Sequence, residues 1–221
     1  HDFTSEDRVL TMLPLFHVGG LNIQTLPALH AGATVLLHKR FAPAETLAAI
    51  ARDRPTVTLL VPAVMKAMIE HGDWERSDLS SLRLAMAGSS VVPVELIRPF
   101  HARGVPVGQV YGATETGPVS IVLRGLDAMR KEGACGTPAI HCDARIVDDR
   151  DEDVQPGARG EILLRGPHIT QGYWRDSAAT NAAFLGGWFR TGDIGHQDED
   201  GHFWVDDRKK DMIISGGENI Y

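Results

Sequence analysis

Cysteine, positive charge and long apolar runs are all scarce in this 221-residue chain, and each scarcity removes a class of protein. The two cysteines, Cys135 and Cys142, fit neither a disulfide framework nor a CxxC metal or redox pair, so a reducing cytoplasm is the expected setting. Lys and Arg number 22 against 29 Asp and Glu, a formal net charge of -7. That balance argues against nucleic-acid partners, which call for a basic face. No apolar stretch nears the roughly 18 residues of a membrane span. The start, HDFTSEDR, lacks the basic and apolar parts of a signal peptide and has no initiator methionine, so both ends read as cut. Walker A, GxGxxG and GxSxG motifs are absent, which removes the common nucleotide and hydrolase fingerprints.

What remains is ample for a core. At 43% hydrophobic, the chain can fold as one large domain or two smaller ones. Its first half repeats a β-α unit: RVLTML (8–13), ATVLLH (33–38), TVTLLV (56–61), LRLAMAG (82–88) and VPVGQVYG (105–112) read as strands. The segments between them read as helices. PAETLAAIARDR (43–54) opens with Pro at a helix start and puts Leu47, Ile50 and Ala51 on one face. Continuous apolar strands alternating with helices imply an α/β fold, a doubly wound, mainly parallel sheet over residues 1–125. In such sheets ligands bind beyond the carboxyl ends of the strands, where AGSS (87–90) and YGATETG (111–117) fall. After residue 126 short strands and glycine-rich turns predict a β-rich, barrel-like subdomain to residue 206, including a hairpin around Asp200-Gly201. The acidic runs Asp148–Asp153 and Asp198–Asp200 match no EF-hand loop and read as solvated turns.

Four stretches are informative, one of them GEILLRGPHITQGYW (160–174), a strand pair with two glycine corners. Tyr111 can stack a base, Thr114 can hydrogen-bond a phosphate, and the Glu115 carboxylate can hold Mg²⁺. Asp193, expected in a tight turn of GWFRTGDIG (187–195), can accept both hydroxyls of a ribose. The charged run DDRKKD (206–211) leads into MIISGGENIY. Singly, each residue also has a plain structural reading. Tyr111 reads as core, Thr114 and Glu115 as a helix cap, His17 as a satisfied half-buried histidine, Asp193 as a turn residue, and Arg208 and Lys210 as a solvated charge run.

Taken in order, LPLFHVGGL, AGSS, YGATETG, GEILLRGPHITQGYW, GWFRTGDIG and DRKKDMIISGGENIY closely resemble the adenylate-forming superfamily, which holds acyl-CoA synthetases, luciferase and peptide-synthetase adenylation domains. The resemblance covers essentially the whole chain and lies nearest to bacterial fatty-acid or aryl-acid CoA ligases. It implies joining a carboxylic acid to AMP from MgATP with release of pyrophosphate, then transfer of the acyl group to CoA. It further implies that Tyr111 and Gly112, with Gly88, Ser89 and Ser90, hold the adenine. Thr114 and Glu115 take the phosphate and Mg²⁺, and Asp193 and Arg208 take the ribose. Phe16, His17, Val110 and Gly112 line the acyl tunnel, with His17 next to the carboxylate. Lys210 is implied as the hinge, residues 207–221 being the start of a C-terminal lid domain.

Several expectations follow. The chain should be a truncated, inactive fragment, without the upstream phosphate loop and the lid lysine. FHVGG has no carboxylate to pair an α-amino group, so the acid is one without it, a fatty or small aryl acid, with Val110 narrowing the tunnel. Partners are then the acid, ATP and CoA, with homo-oligomerisation left open. A non-catalytic adenylate-binding module, or an adenylation domain serving a carrier protein, is the alternative.

Overall fold

The computed structural model describes residues 1–89 and 91–208 and, as backbone, 213–215 and 218–220. Contacts divide the chain into two compact units, residues 1–109 with 124–133, and residues 110–123 with 134–221. The expected change of architecture near residue 126 falls inside a short helix, α5 (Gly125–Ala128), that belongs to the first unit.

In the first unit β1 (Arg8–Thr11), β2 (Thr34–Leu37), β3 (Val57–Leu60), β4 (Leu84–Ala87) and β5 (Val107–Tyr111) run parallel in the order β2-β1-β3-β4-β5. The last two residues of β5 fall in the second unit. Strands β3 and β4 are buried along their whole length, which is why they read as unbroken apolar runs. Helices α2 (Pro43–Asp53), α3 (Pro62–Ile69) and α4 (Val94–Ala102) lie over one face. Leu47, Ile50, Met65, Met68, Ile97 and Phe100 pack there against Leu10, Leu60, Ala85 and Val107. Pro43 and Pro62 each start a helix, where proline's missing N–H costs no hydrogen bond. Helix α2 ends at Arg54, whose φ of 51° stops it and leaves its N–H on Ile50 O at 3.2 Å. The opposite face carries a π-helical stretch, Gly19–Thr25, continuing into α1 (Leu26–His30). Thr11 faces it, 3.4 Å from Thr25 Oγ1, while Gln24 Nε2 donates to Leu10 O.

The second unit is mainly antiparallel. β6 (Ile121–Leu123) pairs with β7 (Thr137–Pro138). β8 (Asp143–Val147) and β9 (Gly160–Arg165) pair across the acidic turn, as expected. They are followed by β10 (Phe184–Leu185), β11 (Trp188–Gln197) and β12 (Phe203–Arg208), giving a sheet ordered β10-β11-β9-β8 with β12 on β11. The β11–β12 hairpin turns at Asp198–His202, around Asp200-Gly201 as anticipated. β13 (Ile213–Ser215) pairs antiparallel with β14 (Glu218–Ile220). Ile121, Ile146, Ile162, Leu164 and Phe203 form the core, with Tyr111 packed against it. Among the described residues one α-helix interrupts the strands: α6 (Ser177–Ala183), started by Asp176, whose carboxylate accepts from Ala179 N at 2.8 Å. The sequence reading placed no helix there. Its apolar residues are all alanine, too small to mark a buried face, and none of its residues is buried.

Candidate functional site

Strand order in the first unit reverses at β1, whose neighbours are β2 and β3, and a crevice opens beyond the carboxyl ends at such a reversal. His17 lies in the loop that leaves β1 at that end, and Gly88 and Ser89 leave β4 at the same end. His17 Nδ1 accepts from Gly19 N at 3.1 Å, which puts the proton of a neutral ring on Nε2. A Cβ built on Gly19 would meet His17 Nδ1 at 3.2 Å and approach Ser89 Oγ at 4.0 Å, so the two loops converge. Ser89 holds a φ of 72°, a left-handed conformation that non-glycine residues seldom keep without a surrounding reason. Phe16 projects outward, 83% exposed within this chain. Ser90 and Lys210 lie outside the described residues.

In the second unit Tyr111, Asp193 and Arg208 form one cluster. The Tyr111 hydroxyl donates to Asp193 Oδ2 at 2.8 Å, and Arg208 Nε lies 3.0 Å from Oδ1. Asp193 stands within strand β11, opposite Arg208 of β12, rather than in the tight turn expected of TGD. The ladder to β9 shifts register between Arg190 and Ile194, and that bulge, with Gly192 at a φ of 72°, is what the residue types had suggested as a turn. Burial pushes the Asp193 carboxyl above its ordinary value, and the Arg208 charge and Tyr111 hydroxyl offset this only in part. Burial first, then the Asp193 charge, keeps the Tyr111 phenol far up its range, so it stays a neutral donor. Among the described residues each Asp193 oxygen has one partner, and a carboxylate oxygen can accept a second bond.

The loop after β5 is tied down locally. A short 3-10 turn, Thr114–Thr116, leaves Thr114 exposed and Glu115 half-buried. Buried Thr116 Oγ1 accepts from Ala113 N at 2.8 Å. Gly112 has a local reason to lack a side chain: an added Cβ would lie 2.0 Å from Pro118 O. Val110, buried, points to the face of β5 opposite Tyr111.

Contacts that the sequence reading missed hold Glu115 in place. Tyr173 OH donates to Glu115 Oε1 at 2.9 Å and Thr170 N donates to Glu115 O at 2.7 Å. Separately, His168 Nε2 lies 3.1 Å from Ser120 Oγ. The motif GEILLRGPHITQGYW by itself assigns no role to these side chains. An ionised Glu115 keeps acceptor sites beyond the one used by Tyr173, and Mg²⁺ is usually held by one or two carboxylates together with water and substrate phosphates. Glu115 therefore fits that ion. Among the described residues no group of three or more His, Cys, Asp or Glu gathers to hold a metal by itself. Cys135 and Cys142 are free thiols, and burial pushes Cys135 up to about 12, so neither is set up as a nucleophile.

The AMP-binding enzyme family matches residues 1–174. Indoleacetate–CoA ligase of Aromatoleum aromaticum is 56% identical over 221 residues, all of this chain and 43% of that protein. Feruloyl-CoA synthase of an Amycolatopsis species is 42% identical over 220 residues, covering 100% of this chain and 45% of the relative. The solved O-succinylbenzoate coenzyme A synthetase of Bacillus subtilis, in complex with ATP and magnesium ion, superimposes with a TM-score of 0.82 at 36% identity, over 100% of this chain and 45% of that one. The chain thus spans somewhat under half the length of these relatives, and it belongs to the AMP-binding enzyme family.

Proposed function

We propose that this chain is the nucleotide- and acid-binding part of an ATP-dependent acid–CoA ligase acting on an aryl acid. The observation that carries the reading is the cluster of Tyr111, Asp193 and Arg208, which joins positions 82 residues apart into one buried acceptor flanked by an aromatic ring and a cation. An adenine stacks on Tyr111 and its ribose hydroxyls donate to Asp193. The phosphates reach Thr114, and Glu115 is the residue that would hold Mg²⁺, which when bound neutralises phosphate charge. An acid carboxylate oxygen then attacks the α-phosphorus, the bond to the β-phosphate breaks, and pyrophosphate leaves. In the second step a CoA thiol attacks the acyl carbonyl, AMP departs with the bonding electrons, and the thiol proton passes to water. His17 is proposed beside the acid's carboxylate, Phe16, Gly112 and Val110 along its path, Gly88, Ser89 and Ser90 at the adenine, and Lys210 as the hinge.

The names of the relatives, an indoleacetate ligase and a feruloyl synthase, favour an aromatic acid over a fatty one. This sharpens the choice between fatty and small aryl acids left by the residues alone. Pyrophosphate release by the protein that carries this chain, measured over a panel of aryl, medium-chain and amino acids, tests the reading. Indoleacetate-sized aryl acids should give the highest kcat/KM. A preference for aliphatic acids would sink the substrate class, and absence of pyrophosphate release with every acid would sink the ligase reading.

A further inference from the structure

Glu161 has no part in the scheme above, yet its side chain is only 6% exposed and its partners are the residues that lead to Asp193. The β9–β11 ladder loses register between Arg190 and Ile194. A bulge of this kind leaves backbone groups in need of partners away from the ladder. Glu161 meets that need from β9. Its Oε1 accepts from Gly192 N at 3.2 Å and its Oε2 accepts from Arg190 Nη1 at 2.7 Å. Arg190 reaches with its other nitrogen to Asp151. Thr191 Oγ1 completes the arrangement, donating to Ile162 O at 2.7 Å and accepting from Asp193 N at 3.1 Å. Three consecutive residues, Arg190 to Gly192, are thereby fastened to two neighbours on β9, and Thr191 in turn holds the Asp193 N–H.

Stability alone gives little reason for this. A well-packed apolar pair in place of a buried ion pair is often neutral or better. We propose that Glu161 and Arg190 are positioning residues, which hold the β11 bulge so that the Asp193 carboxylate is aimed at the ribose of the nucleotide. The proposal rests on the ribose reading of Asp193. Among the described residues four titratable groups face Asp193: Arg208 on β12, Tyr111 at the end of β5, Glu161 on β9 and the Cys135 thiol. Of these, the Glu161 charge opposes ionisation of Asp193. Its removal should therefore move the acid limb of nucleotide binding to lower pH.

The test measures binding of ATP, and of ATP lacking both ribose hydroxyls, to the protein that carries this chain, as wild type and as Glu161→Gln, over the acid-to-neutral range. Glutamine keeps an acceptor for Gly192 N but not the charge that holds Arg190. Affinity for ATP should fall about tenfold, affinity for the dideoxy nucleotide should barely change, and the acid limb should shift downward. Equal wild-type affinity for the two nucleotides would remove the ribose role of Asp193 and the positioning role with it. Full discrimination retained in Glu161→Gln would leave the ribose reading standing and overturn the positioning role alone. So would equal weakening of both nucleotides with an unmoved acid limb. Should Glu161→Gln not fold, Arg190→Lys serves: lysine keeps the charge but cannot fork between Glu161 and Asp151, and unaltered ribose discrimination in that variant would also overturn the proposal.

Discussion

Asp7 and Asp193 are both buried aspartates, one in each unit, and burial acts on both in the same direction, disfavouring the charge. In the first unit that effect is overcome. Arg83 donates to both Asp7 oxygens at 2.8 and 2.9 Å, Thr56 Oγ1 donates at 2.6 Å and Thr4 N at 2.8 Å, holding the carboxyl well below the usual range. In the second unit one guanidinium and one phenol meet Asp193, and its carboxyl stays above the usual range. A carboxylate that is fully answered by its own chain is a structural pin. One that is left short of partners in a buried place is suited to a ligand. The same contrast runs through the strands: β3 and β4 are buried throughout and hold no charged residue, whereas β9 and β11 carry Glu161 and Asp193 in their interiors.

The largest effect expected of this contrast is in packing. Phe100, fully buried and edge-on to Trp74 at 4.8 Å, anchors the first unit. Phe100→Ala should lower stability by about 3–5 kcal/mol in urea unfolding. A cost under about 1 kcal/mol would show that the apolar unit tolerates a cavity and would break the comparison. Next comes Gly112→Ala in the second unit, whose Cβ must displace the Pro118 peptide. It should cost about 1–3 kcal/mol by thermal unfolding and weaken ATP binding as well. Intact ATP binding with reduced stability would separate the loop's fold from the site.

Acid should then divide the two aspartates. Asp7 has a lowered folded value, so its contribution is present above its unfolded value of 3.8 and is lost as pH falls through the folded one. Asp193 has a raised folded value, so its contribution is full below 3.8 and lost as pH rises through the folded one. Asp7→Asn should therefore reduce Tm at neutral pH and flatten the loss of Tm in acid. Asp193→Asn should leave Tm at neutral pH unchanged or higher while ATP binding falls. The same Tm change in both variants at neutral pH would contradict the opposite signs. The smallest effect concerns Cys135, whose thiol is pushed up to about 12. It should resist alkylation at mildly alkaline pH in the folded protein and react on unfolding. Rapid modification of the native state, seen by mass spectrometry, would mean that the second unit opens readily.

Much of the fold was legible because the signals were local. Each of the five parallel strands came within a residue or two of its apolar run, and proline marked the starts of α2 and α3. The candidate residues Tyr111, Asp193 and Arg208 were legible as motif positions but not as a cluster, since nothing near Tyr111 in the chain announces a partner 82 residues on. The turn expected around Asp193 was a bulged strand, because Gly192 signals a backbone bend without saying whether the ladder resumes beyond it. Tyr173 and Glu161 escaped notice for a related reason: a tyrosine after glycine and a glutamate after glycine at a strand start both have ordinary surface readings.

By itself, then, the sequence determined the parallel α/β sheet, the antiparallel second half and the order of the chemical groups along the chain. Periodicity, proline and glycine act over a few residues and are written in the residues themselves. Tertiary structure alone decided which carboxylates are satisfied and which are left short, that Glu115 is held by Tyr173, and that Gly112 is required by the Pro118 peptide. Those outcomes depend on burial and on partners brought from 6 to 82 residues away, and desolvation has no local signature in a chain.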